Sequence, residues 1–198
     1  MKVAFGLKAH SGWAALVVLG VNRNSLELVD RRRIELVEEE WAKQPYHAAE
    51  ELDLSEGRAV VKRGVTAAHK NAGRVVKEAL NRAQALGCQI VACSILVGEP
   101  MPDWTVDEIL AVHFRMHKAE GVLFREALAG AATNCGLQVV RVPEKQLTDF
   151  AQRQLKGRFK NTVTQLNALG KEAGAPWGKD QKDAALAAAI PLLSSASC

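Results

Sequence analysis

Asp180 and Asp183 stand three residues apart at the mouth of an alanine-rich stretch, "KDQKDAALAAA". Helical spacing puts both carboxylates on one face, where like charges repel, so the pair asks for a reason. Acids in a first turn are favoured by the helix macrodipole, and Asp is a good N-cap. Paired carboxylates also hold a divalent cation, which can activate water for hydrolysis. A second group is cationic: "RQLKGRFKN" gathers Arg153, Lys156, Arg158 and Lys160 around Phe159 with no acid among them. Such a run is the footprint of a phosphate-bearing partner, or else a charged helix face in water.

Other constellations carry less. His113 and His117 have the one-turn spacing at which two imidazoles share a metal. Without a Glu-x-x-His frame they read as one ring bordering an apolar stripe and one in solvent. His10 and Ser11 are neighbours on a strand and point to opposite faces, so they make no nucleophile–base pair; Cys93 and Ser94 fail alike. Neither GxxxxGK nor GxGxxG occurs. Cys88, Cys93, Cys135 and Cys198 show no CxxC spacing, so neither a disulfide nor a zinc is assigned. Trp13 reads as a core strand residue, and Trp177 as a hydrophobic staple at a helix start.

The elements that must position these residues follow from patterning. The 198 residues are 48% apolar and 24% charged with a net charge of +4, an ordinary balance for one globular domain spanning 1–193 with a frayed 194–198 tail. The short, Lys8-interrupted apolar opening is neither a leader nor a membrane span, so a cytoplasmic location is expected. Val3 onward reads as a strand, "GWAALVVLG" as a second up to the turn at 21–25, and "LELVDRRRIELVE" as one or two more. These form an antiparallel meander. A helix follows from Val65 to the stop at Gly87, then the buried strand "CQIVACSILVG". A second long helix from Ile109 stops at Gly136, and "LQVVRV" is the fifth strand. Two shorter helices divide near Gly157, and the last helix opens at Asp180 and ends before Pro191. The class is α/β, with a mixed five-stranded sheet flanked by helices.

This order, with acids opening the last helix, resembles the ribonuclease H-like fold and within it the RuvC-type Holliday-junction resolvases. "FGLKAHSGWAALVV" is similar to that family's first strand, where Gly6-Leu7 and Gly12-Trp13-Ala14 match in kind. The stretch "HKAEGVLFREALAGAATNCGLQVVRVPEKQLTDFAQRQLKGRF" resembles its second helix, fifth strand and basic connector, and "KDQKDAALAAA" its closing Asp-x-x-Asp-Ala helix. The resemblance implies carboxylates from strand one, strand four and the last helix around two cations that drive phosphodiester hydrolysis. Asp180 and Asp183 match the last two positions. Where the first strand should present Asp stands Lys8, an ammonium that would repel a cation and pair with Asp180 or Asp183. The strand-four position falls on Ser94, and the nearest acid, Glu99, lies five residues on, about 16 Å along a strand.

The resemblance with these departures implies a degenerate two-metal site on a protein that binds DNA or another structured nucleic acid without ordinary magnesium-dependent cleavage. The basic run would contact phosphates, and the family's habit implies a homodimer. No cofactor is assigned. An active endonuclease is the alternative, with Asp180, Asp183 and a repositioned Glu99, and with His10 as a further candidate ligand, around Mg²⁺ or Mn²⁺. A protein-binding scaffold is the third reading. No membrane partner is expected.

Overall fold

The computed structural model describes residues 1–23 and 25–194. Asn24 of the expected turn and residues 195–198 of the expected tail lie outside them. Three strands open the chain, β1 (Lys2–His10), β2 (Trp13–Asn22) and β3 (Ser25–Glu35). They form the expected meander, with β2 antiparallel to both neighbours. A short helix α1 (Glu40–Lys43) and a 3-10 turn (His47–Ala49) lead to α2 (Leu54–Ala85). Strand β4 (Gln89–Val97) follows, then α3 (Val106–Leu110), α4 (His113–Asn134) and β5 (Val139–Pro143). The chain closes with α5 (Leu147–Leu155), α6 (Phe159–Ala173) and α7 (Lys179–Ser194). The sheet order is β3-β2-β1-β4-β5, with β4 parallel to both β1 and β5.

Strand alternation sends β1 side chains to two separate cores. Val3, Phe5 and Leu7 pack with α2 and α4 residues such as Ala72, Val76, Phe124 and Leu128. Ala4 joins Val17, Leu19, Ala184, Ala185 and Ala188 on the opposite face. On that second face α7 lies unusually close to the sheet. A Cβ on Gly6 would stand 1.9 Å from the carbonyl oxygen of Ala184, so only glycine fits there. The fully buried alanines of α7 are the other half of the same contact. This approach brings the first turn of α7 beside the carboxyl end of β1.

Three boundaries and one burial differ from the sequence reading. Helix α2 begins eleven residues before Val65, at an Asp53 cap that accepts from the amides of Ser55 and Glu56. Its first turns carry little apolar periodicity because Gly57 and Gly64 share the buried face with Val61, Gly64 packing against Pro45. The second long helix is two helices, broken at Val112 after the Thr105–Glu108 capping box of α3. Helix α7 runs through Pro191 to Ser194 instead of stopping, with Leu192 buried in the apolar cluster holding that turn in place. Trp13 is half-buried rather than core, stacked on His10 at 4.3 Å with the Arg33 guanidinium 3.9 Å from its ring centroid.

Candidate functional site

At the carboxyl end of β1 the side chain of Lys8 points toward α7. Its Nζ donates to Asp183 Oδ2 at 2.7 Å and lies 3.2 Å from both Asp180 Oδ1 and Glu144 Oε1. Lys8 is 4% exposed, one of few charged groups buried so completely. Burial alone pulls an ammonium's pKa down, but hydrogen bonds to Asp183, Asp180 and Glu144 outweigh it and the net direction is up. Lys8 is therefore a fixed positive charge. Asp180 shows the mirror case: burial raises its carboxyl pKa, while the Lys8 hydrogen bond and the His10 and Lys8 charges bring it below the ordinary value.

Three elements supply the acids. Asp180 and Asp183 come from the first turns of α7, on the face that packs against β1. Asp180 is the second residue of the helix rather than its cap, and its carboxylate faces Lys8. Glu144 directly follows Pro143, the last residue of β5, and was not singled out from the sequence. A readable signal existed, since an acid just past a parallel strand's carboxyl end sits where open α/β sheets place ligands. Around these acids stand two more cations, Arg125 at 2.8 Å from Glu144 Oε2 and Lys179 paired with Asp183. The ledger is Glu144, Asp180 and Asp183 at −3 against Lys8, Arg125 and Lys179 at +3, which sums to zero. His10 Nε2 lies 3.2 Å from Asp180 Oδ1 without an aligned hydrogen bond.

On β4, Ser94 is level with Gly6, two residues before Lys8. One step beyond the Leu7–Ile95 pair, the neighbour of Lys8 is Leu96, which is buried with Val142 and Ile190. Ser94 is fully buried and its Oγ has no hydrogen-bond partner. Glu99 is exposed on the rim of a cleft of about 580 Å³ that Lys118, Arg125, Glu144, Lys145 and Lys179 also line. The cleft thus brings Glu99 toward the acids' end of the molecule, but Lys8 is paired with Glu144 instead.

The basic run lies elsewhere. Arg153, Lys156, Arg158 and Lys160 are exposed along α5, the 3-10 turn Lys156–Arg158 and the start of α6. Arg158 donates to the Leu193 carbonyl at 2.7 Å, beside the last turn of α7. Asp180 is thirteen residues earlier on that helix, about 20 Å away at 1.5 Å per residue. Phe159 packs into the α5–α7 cluster. Trp177 packs over Gly170 of α6, where a Cβ would meet its ring at 2.1 Å. Arg31, unremarked in the sequence, donates to the carbonyls of Ala173, Gly174, Ala175 and Pro176 and so fixes the lead-in to α7.

A meander continued by two parallel strands, with α7 crossing the central strand, is the ribonuclease H-like fold. A solved structure shares this fold. Thermus thermophilus RuvC in complex with a Holliday-junction substrate aligns over 95% of this chain and 90% of its own, with TM-score 0.50 and 14% identity. Thermus thermophilus RuvC also aligns at TM-score 0.47 with 14% identity over 94% of this chain and 90% of its own. The yeast mitochondrial Holliday-junction resolvase Ydc2 aligns at 0.42 with 10% identity over 96% of this chain and 78% of its own. No family model matches the chain, and no curated protein matches its sequence. No helix among the described residues is long and apolar enough to cross a membrane.

Proposed function

We propose that this protein is a RuvC-like nucleic-acid-binding protein whose carboxylate site holds an internal ammonium in place of catalytic metal ions. The observation that carries the reading is Lys8 Nζ, buried and within 3.2 Å of Glu144, Asp180 and Asp183. A dication there would have to displace the lysine and would find the acids' charge already neutralised. Two-metal catalysis needs carboxylate oxygens free to ligate, and these are engaged. Binding then rests on cationic surfaces, the exposed Arg153–Lys160 run and the cleft bearing Lys118 and Lys145. Phosphate contacts release counterions, so affinity falls steeply with salt.

The test is a labelled four-way junction and a matched duplex, incubated with the full chain across a salt series and with Mg²⁺ or Mn²⁺. The expected result is salt-sensitive retention without cutting, weakened by charge reversal of Arg153, Lys156, Arg158 and Lys160. Metal-dependent product that disappears in Asp183→Asn would instead establish the endonuclease that uses Asp180, Asp183 and Glu99. Absence of any salt-sensitive retention would leave the protein-binding scaffold.

A further inference from the structure

A second cluster of ligand-type side chains lies on the α4 side of the molecule. His47 opens the 3-10 turn His47–Ala49, while His113 and His117 occupy successive turns of α4. One ring nitrogen from each lies within 4.8 Å of the others. The rings face one another with centroids 4.4 to 5.0 Å apart. Sequence spacing alone paired only two of them and argued against a shared ligand; folding supplies the third.

The hydrogen bonds around the cluster set its chemistry. Glu120, buried at 4% exposure, lies 2.7 Å from His47 Nδ1 and also accepts from the His47 backbone amide at 3.1 Å. Glu50 lies 2.7 Å from His113 Nδ1. A carboxylate only accepts, so Nδ1 of His47 and of His113 is the donor, and in the neutral ring the Nε2 of each presents a lone pair. His117 Nε2 is 3.1 Å from His113 Nε2. His47 Nε2 is buried with no hydrogen-bond partner. A buried nitrogen left without a partner costs free energy. A cation bound at Nε2 removes that cost.

We propose that His47, His113 and His117 form a site for one divalent transition-metal ion of the zinc class, with Glu120 and Glu50 orienting two of the imidazoles. Three neutral imidazoles suit zinc, cobalt, nickel or copper and not magnesium or calcium, which take oxygen ligands. Tetrahedral zinc with bonds of about 2.0–2.1 Å sets its ligand nitrogens about 3.3 Å apart. The His113–His117 nitrogens already have nearly that separation, and small ring movements close the triangle. A carboxylate behind a ligating histidine is the usual partner at such sites. Glu50 and Glu120 together balance the dication's charge. His113 and His117 are exposed, so the fourth position opens to solvent and takes water. The ion would tie the connection between α1 and α2 to the first turns of α4. This inference does not depend on what the Lys8 site binds.

The experiment uses the full chain, stripped with chelator and dialysed, with Zn²⁺ titrated by calorimetry and Co²⁺ followed by its visible absorption. One equivalent is expected, with a four-coordinate cobalt spectrum that Mg²⁺ does not displace. His117→Ala, at an exposed position, abolishes the spectrum, and Glu50→Gln weakens affinity by about 10- to 100-fold. Failure of the wild-type chain to take up zinc overturns the proposal, as does uptake that survives His117→Ala.

Discussion

Two corners of this molecule each draw three ligand-type side chains together, and they differ in where the neutralising charge comes from. At the carboxyl end of β1, Glu144, Asp180 and Asp183 surround an ammonium that the chain itself supplies. Beside α4, His47, His113 and His117 converge with a buried nitrogen that no protein group satisfies. Convergence of donors is therefore a poor guide to metal binding until the local charge has been counted. The first corner sums to zero from its own side chains. The second brings two carboxylates behind its imidazoles and draws its balancing charge from outside.

Breaking the first corner has the largest expected effect. Lys8→Met removes the one ammonium that all three acids share, leaving only Arg125 and Lys179 at their edges, and costs about 3–5 kcal/mol in urea unfolding. In a chain already carrying Asp180→Asn and Asp183→Asn the same substitution costs less than half as much, a coupling that a double-mutant cycle measures directly. Equal costs in both backgrounds would mean that Lys8 stabilises through packing alone. The second corner answers to an added ion. Zinc at a hundredfold excess over its dissociation constant stabilises by about 2.7 kcal/mol, a rise of about 5–10 °C in Tm that chelator reverses and His117→Ala removes.

Smaller effects sharpen the account of how the first corner is held. Arg31→Ala releases four carbonyls ahead of α7 and should cost about 1.5–3 kcal/mol, the range for a hydrogen bond to a charged group. The pH dependence has a defined sign. Asp180 has a depressed carboxyl pKa in the folded chain, so its contribution is present above the unfolded value and is lost as pH falls through the folded one. Lys8 has a raised pKa, so its contribution is complete below the ordinary lysine value and is lost only as pH rises through the folded one. Stability from this pair is thus flat near neutrality and falls in acid below about pH 4. Asp180→Asn flattens that acid limb by about 1 kcal/mol or less, measured by thermal unfolding across the acid range.

Much of the architecture was legible because it is local. Turn residues near 21–25, the periodic stretch up to Gly87 and the apolar run of β4 each identify their element without tertiary help. Asp180 and Asp183 were legible as a pair because helical spacing fixes which residues share a face. Three things escaped for physical reasons. Glu144 meets Lys8 only because β4 lies between β1 and β5, a relation that no window of sequence contains. The level of Ser94 beside Gly6 escaped because counting along one strand cannot show its pairing with β1. His47 lies in an aperiodic connection after Pro45, so only packing against α4 brings it to His113 and His117.

The claim that orders the rest is that Lys8 occupies the cation's place. A crystal structure grown in millimolar Mn²⁺, with anomalous scattering to locate the ion, tests it most directly. The account predicts no manganese within ligand distance of Asp180 or Asp183 and the Lys8 ammonium still bonded to both. A manganese ion coordinated by those carboxylates, with Lys8 turned away, would contradict it.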